Sequence, residues 1–379
     1  MRRTYYDFFA GGGMAGVGLG PGWDCLFANE IDPKKAASYR ANHGAGALLV
    51  KDVALVAPEE IPGAADLIWA SFPCQDLSLA GKGAGLAGRR SGMFRPFWRL
   101  VRQLHAEGRG PRMIALENVC GAITSNGGRD FATLAAAFSG LGYRFGAVVV
   151  DAAHFLPQSR PRFFMIGARG DQSLPAGLQG AASPLWHPPA LLAAHRRLSR
   201  AAAARWVWWR LPAPPPRNST LSGLIEDAPE GVAWHSADET RRLLEMMTPH
   251  NRAKVEAAKR SGARLVGAVY RRTRADADGV KRQRAEVRFD EVAGCLRTPA
   301  GGSSRQTLML IDGARVRTRL LSAREAAALM GLPESYALPP RYTDAYKLAG
   351  DGVAVPVVRY LAERIFEPVL AENPLRRAA

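Results

Sequence analysis

Thr4-Tyr5-Tyr6-Asp7-Phe8-Phe9-Ala10-Gly11-Gly12-Gly13-Met14-Ala15-Gly16 sets the expectation for the whole chain. Residues 4–9 form an apolar run of strand length, and Gly11 to Gly16 fits the pattern GxGxxG. Glycines at a strand-to-helix turn let backbone approach a ligand closely and present amide groups at a helix start. A second strand, Cys25-Leu26-Phe27-Ala28, ends at Asn29-Glu30. Asp32-Pro33 reads as an N-cap followed by proline in the first helical position, so a helix is expected to about His43. Lys51-Asp52-Val53 closes a third short segment.

Together these residues resemble an adenosine-binding βαβ unit. Glu30 stands near the place where an acid would hold ribose hydroxyls. By itself the pattern suits a nicotinamide or flavin enzyme as well as a methyltransferase, so the rest of the chain has to decide.

Asp66-Leu67-Ile68-Trp69-Ala70 reads as a buried strand running into Ser71-Phe72-Pro73-Cys74-Gln75. Pro73 fixes its own φ and restricts Phe72, so Cys74 starts from a constrained backbone at a strand exit. Further strands are expected at 113–116, 145–150 and 163–166, with helices around 93–107 and 130–140. This alternation predicts a Rossmann-like, doubly wound α/β sheet, mainly parallel. Ligands in such sheets sit outside the carboxyl ends of strands, which brings Cys74 and Glu117 toward one crevice. Arg160 and Arg162, two residues apart in extended chain, share a face.

The totals suit a nucleic-acid partner or, less well, an anionic membrane surface. The chain has 379 residues and a net charge of +17. That length exceeds the ~250–300 residues at which single cores stop growing, so two domains are expected. The helix–strand alternation fades after residue 170, and the chain closes with an amphipathic helix to about residue 370. Between 195 and 320 there are 25 Lys+Arg against 13 Asp+Glu, a net +12. Arg271-Arg272-Thr273-Arg274 and Lys281-Arg282-Gln283-Arg284 concentrate this charge, as phosphate neutralisation requires. Trp206, Trp208 and Trp209 read as core. No apolar stretch reaches the ~18 residues of a membrane span. The N-terminus enters a strand too early for a signal peptide. The four cysteines lack CxxC spacing and the seven histidines lack ligand spacing, which argues for a reducing cytoplasm and against metal.

These residues, in this order, resemble the DNA (cytosine-5)-methyltransferase family. Asp7 to Gly13 is similar to its first cofactor motif, Asn29-Glu30-Ile31-Asp32 to the second and Asp52-Val53 to the third. Pro73-Cys74-Gln75 matches the nucleophile motif, Glu117-Asn118-Val119 the glutamate motif, and Gln158 to Arg162 the QxRxR motif. Arg297-Thr298-Pro299 and Gly301 to Gln306 resemble the motif after the target-recognition region. Gly350-Asp351-Gly352-Val353 resembles the last motif, which often has asparagine and serine where Asp351 and Gly352 stand.

The resemblance implies a catalytic domain at 1–170, a smaller second domain at 171–345 and a return of the helix within 346–379 to the first. It also implies S-adenosylmethionine as cofactor, leaving as S-adenosylhomocysteine. Its contacts would fall on Phe9, Ala10, Gly11, Gly13, Met14, Glu30, Ile31, Asp52, Val53, Pro73, Asp351, Gly352 and Val353. Cys74 would add to carbon 6 of a cytosine flipped out of duplex DNA. Glu117 would hold or protonate ring nitrogen 3, Arg162 would bind the carbonyl oxygen, and Arg160 would help position base and thiol. Gln75, Ser78, Lys82, Arg89, Arg90, Arg271, Arg272, Arg274, Arg305 and Gln306 are the expected DNA contacts, with the run at 271–274 on phosphates. No metal is required. The partners implied are double-stranded DNA and a cognate restriction endonuclease, with a monomeric enzyme. A tRNA cytosine-5 methyltransferase and a catalytically silent DNA-binding homologue are the alternatives. The long basic region favours DNA, and intact Cys74 and Glu117 favour activity.

Overall fold

The computed structural model describes residues 2–73, 91–275, 279–297 and 305–371. They divide into two compact units. The first takes the chain up to Asp151, Pro161–Pro215 and the segment from Val355; the second takes Ala152–Arg160 and Pro216–Ala354.

The first unit is built on β1 (Arg3–Phe8), β2 (Trp23–Glu30), β3 (Leu48–Val50), β4 (Leu67–Ala70), β5 (Met113–Val119), β6 (Arg144–Asp151) and β7 (Pro161–Ala168). Their order is β3-β2-β1-β4-β5-β7-β6. Neighbours from β3 to β5 pair in parallel, whereas β7 runs antiparallel to both β5 and β6. This is the mixed, parallel-rich sheet that the strand–helix alternation predicts.

The strand β4 lies near its centre and is wholly buried, which explains its unbroken apolar sequence. Ile68 and Ala70 join a core with Phe97, Val101, Leu134 and Phe138 from α3 (Phe94–Ala106) and α4 (Arg129–Gly140). Trp69, whose ring meets Phe366 at 6.4 Å, takes the other face. Burying a side chain of this kind is worth about 1.5–3 kcal/mol.

The glycine turn leads into α1 (Met14–Leu19), and α2 (Pro33–His43) follows β2. As its sequence predicts, α2 has Asp32 as N-cap, accepting from the amides of Lys34 and Lys35. A Cβ added at Gly18 would collide with Val358, so α1 lies tight against the C-terminal helix Val355–Leu361. The helix is also tied to α1 by Arg359, which donates to the Leu19 carbonyl.

The unit boundaries differ from the sequence expectation of 170 and 345. Residues 171–215 return to the sheet. The Phe145 amide donates to the Arg205 carbonyl at 2.9 Å and the Val149 amide to that of Trp186 at 2.8 Å. Trp186 and Trp209 are fully buried there, so the chain covers the edge strand β6 before departing. Trp209 is core as expected, and the rings of Trp206 and Trp208 meet that of His195 at tilted angles, with centroids 5.0 and 4.7 Å away. At the other end, the helix Tyr342–Asp351 and the turn after it belong to the second unit.

That second unit holds an antiparallel sheet of β8 (Arg264–Ala275), β9 (Lys281–Arg288), β10 (Thr307–Asp312) and β11 (Arg315–Leu320), in the order β11-β10-β8-β9. Leu243, Met247, Val255 and Ala258 pack against Val269, Ala285, Val287, Met309 and Ile311 from the sheet.

Candidate functional site

At the carboxyl end of β1 the backbone turns sharply. Phe9 takes a positive φ of 59°, rare for an aromatic residue, and Gly11 and Gly13 follow at 59° and 78°. Strained backbone of this kind concentrates at ligand sites. Glu30 organises the turn. Its Oε2 accepts from the Gly11 amide at 2.8 Å, and its Oε1 accepts from Ile31 and Asp32, each at 2.8 Å. The expected ribose acid thus also clamps the glycine loop to the start of α2.

Asp7 lies beneath this turn, and the sequence reading did not single it out as a site residue. It is buried, and its Oδ2 has no hydrogen-bond partner among the described residues. Burial first, and the nearby Glu30 charge second, push its carboxyl up to about 8. Two acidic side chains, Asp7 and Glu30, thus lie at the glycine turn. The available signal was a carboxylate interrupting an apolar strand.

Of the other expected cofactor residues, Ala10 and Met14 are buried at the turn and Ile31 is 60% exposed. Asp52 accepts from the Ala54 amide at 2.9 Å, and Val53 beside it is core. Pro73 is the last described residue of its segment. Asp351, Gly352 and Val353 fall in the second unit, where Gly350 and Gly352 offer their carbonyls to Arg160 at 2.9 and 2.6 Å.

The strand ends of β4 and β5 are fastened together. Asn118 Nδ2 donates to the Phe72 carbonyl at 3.0 Å, two residues before Cys74. Glu117 precedes this clasp and is 8% exposed. Contrary to the expected strand limit, β5 continues through Val119, because β7 pairs with it as far as Val119↔Arg162. Glu117 Oε1 lies 3.2 Å from Arg162 Nε. The carboxylate therefore sits in a strand, paired with a guanidinium, and does not cap the next helix.

Arg160 and Arg162, expected to share a face, have separate tasks. Arg160 is buried in the second unit and also donates to the Leu296 carbonyl at 3.2 Å and Cys295 Sγ at 3.3 Å. Gln158 Nε2 donates to the Leu329 carbonyl at 2.6 Å. Gln306, read as a DNA contact, is corrected to an internal residue. It is 5% exposed, and its amide donates to the Val269 carbonyl at 2.9 Å, where β10 stops pairing with β8. Arg305 lies over the Tyr342 ring at 5.1 Å, and Arg271 and Arg272 are exposed on β8.

Cys74, Gln75, Ser78, Lys82, Arg89 and Arg90 lie outside the described residues, as does the side chain of Arg274. Two other thiols are poorly suited to nucleophilic work. Burial pushes Cys25 and Cys120 up to about 11, with Arg162 only partly opposing this at Cys120. Among the described residues no group of three or more His, Cys, Asp or Glu is placed to hold a metal, and no helix is long and apolar enough to cross a membrane.

A parallel-rich sheet with a glycine turn, an acid clamping that turn and a Glu–Arg pair at its strand ends places the chain among α/β proteins of the Rossmann-like type. The C-5 cytosine-specific DNA methylase family matches residues 4–367, and the chain belongs to it. It is 25% identical to the Type II methyltransferase M.BsuFI of Bacillus subtilis over 372 residues, covering 98% of this chain and 74% of that one. With the Type II methyltransferase M.HhaI of Haemophilus parahaemolyticus it shares 26% identity, over 95% of this chain and 93% of that one. Among solved structures it is similar in fold to the S. pombe Dnmt2 methyltransferase. That match has a TM-score of 0.62 and 16% identity, and covers 97% of this chain and 99% of that one.

Proposed function

We propose that this enzyme methylates carbon 5 of a cytosine in double-stranded DNA, at a specific site, through a covalent adduct on Cys74. The observation that carries the reading is the Asn118–Phe72 clasp, which fastens the strand leading into Cys74 to the strand bearing Glu117. S-adenosylmethionine, when bound, supplies an electrophilic methyl group. The cradle of Asp7, Glu30 and the Gly11–Gly13 turn suits it, because the cofactor carries positive charge and ribose hydroxyls.

Carbon 5 of cytosine is a weak nucleophile. Addition of the Cys74 thiolate at carbon 6 makes it enamine-like, which divides one difficult step into two. Negative charge then develops at ring nitrogen 3, where Glu117 would donate a proton or hydrogen bond. Arg162 holds that carboxylate and would reach the base's carbonyl oxygen. Once carbon 5 carries the methyl group, loss of its proton to a base and elimination of Cys74 restore the aromatic ring and the free thiol. The target atoms are inaccessible in a duplex, so the base must flip out at a cost of roughly a few kcal/mol.

Arg160 is better read as a positioning residue. It ties the loop before β7 to the turn at Gly350–Gly352. The basic second unit would supply salt-sensitive affinity for DNA. A cytoplasmic monomer acting beside a cognate restriction endonuclease fits the same reading.

Expression in a methylation-free host followed by methylation sequencing tests the proposal. The expected result is 5-methylcytosine at one short sequence. Unmodified genomic DNA with 5-methylcytosine in transfer RNA would replace DNA with tRNA as substrate.

A further inference from the structure

Strands β8 and β9 continue as a ribbon beyond the four-stranded sheet. The ladder between β10 and β8 ends at Val269, whereas β8 pairs with β9 as far as Ala275↔Lys281. Tyr270–Ala275 therefore pair with β9 alone among the described residues. At about 3.3 Å per residue this arm is roughly 20 Å long. The major groove, about 12 Å wide, admits a two-stranded ribbon.

The register separates arginines that are adjacent in sequence. Arg271 lies opposite Ala285, and Arg272 lies opposite Arg284. Directly opposed residues of an antiparallel pair share a face. Arg271 thus continues the face that Val269 and Val287 bury in the core, and Arg272 and Arg284 occupy the reverse face. Arg282, two residues from Arg284, joins them, opposite position 274.

Arg272 is also held in place. Its guanidinium lies 5.4 Å from the centroid of the Tyr270 ring, and its Nε is 3.7 Å from Glu286 Oε2. Tyr270 in turn packs against Gly294, where a Cβ would collide with its ring. A phosphate can be followed by any mobile cation. A planar fork steadied by an aromatic ring and a carboxylate is suited to the paired acceptors O6 and N7 of guanine.

We propose that Arg272, with Arg284 opposite it, is a specificity-determining residue that reads a guanine edge in the major groove. This rests on the DNA reading above and revises the expectation that the run at 271–274 acts together on phosphates. Arg271, on the other face, keeps the phosphate role.

The test uses the full-length enzyme and the site identified by methylation sequencing. Cognate duplexes carry 7-deazaguanine, which lacks the N7 acceptor, at one guanine at a time. Wild type should lose about tenfold or more in kcat/KM at one guanine. Arg272→Lys should lose a similar factor on the normal duplex and be indifferent to 7-deazaguanine at that position. Arg284→Lys serves as a second variant, and cofactor binding by each variant reports folding. Arg271→Gln should weaken cognate and scrambled duplexes alike and reduce the salt slope by about one. Full activity of Arg272→Lys, equal weakening of both duplexes by it, or wild type indifferent to every 7-deazaguanine would overturn the inference while leaving DNA methylation intact. Wild type that methylates no duplex overturns the function proposed above as well.

Discussion

The carboxylate of Glu117 lies 3.2 Å from the guanidinium of Arg162, on adjacent antiparallel strands at the carboxyl end of β5. Both side chains are mostly buried, so solvent screens the pair less than a surface ion pair. The arrangement fixes the direction of a carboxylate one strand away from the approach to Cys74.

Glu117→Gln should therefore abolish most turnover without loss of cofactor. An amide keeps the shape but neither carries the charge nor exchanges a proton. The expected loss in kcat is about 10²–10⁴-fold, the usual contribution of a positioned acid or base. Single-turnover methyl transfer and calorimetric titration with cofactor check it together. Turnover within about twofold of wild type would remove Glu117 from the chemistry.

Asp7 gives a pH dependence with a definite sign. Its carboxyl is raised from 3.8 to about 8 by burial and Glu30, so in the free fold it is neutral near pH 7. The unfolded chain releases that proton first. Asp7 therefore costs stability increasingly as pH rises from about 4 to 8. A cationic ligand favours the ionised form, so cofactor affinity should increase as pH rises toward 8. Asp7→Asn should raise the thermal midpoint of the ligand-free protein at pH 8 and flatten the pH dependence of cofactor affinity. Unchanged affinity and slope in this variant would take Asp7 out of the cradle.

His187 and His195 flank Trp208, with ring centroids at 4.9 and 4.7 Å. Burial lowers both histidines below 6.5, and Arg196 adds to the effect at His195. The unfolded chain takes up protons first, so their contribution is present above about pH 6.5 and is lost as pH falls below it. Denaturant midpoints should fall between pH 7 and pH 5.5, and less so in His187→Gln. Equal falls in both proteins would mean that His187 does not cause the loss.

Much of the first unit is legible in sequence because its rules are local. Asp32-Pro33 starts α2 by capping chemistry, and the apolar run at Leu67–Ala70 marks a strand buried on both faces. Cys74, Glu117 and the QxRxR arginines are legible as motifs. Their partners are not, because these depend on which strands become neighbours. Glu117 meets Arg162 only because β7 is reversed, and nothing in either segment states that direction. The antiparallel sheet of the second unit escapes notice for another reason. The outer halves of β8 and β9 are arginine-rich and solvent-facing, so they lack the apolar alternation that identifies a strand. Gln306 looks like a surface contact in a polar segment, yet it terminates the pairing of β8 with β10.

Covalent catalysis by Cys74 can be read out by mass spectrometry of the trapped enzyme. A duplex with 5-fluorocytosine at the target blocks loss of the carbon-5 substituent, so with cofactor present the adduct should accumulate. A stable complex is expected, with its cross-link on the peptide containing Cys74, and it should be absent in Cys74→Ser, which still binds cofactor. No adduct from an enzyme that methylates the unfluorinated duplex, or an adduct on Cys120, would contradict a covalent role for Cys74.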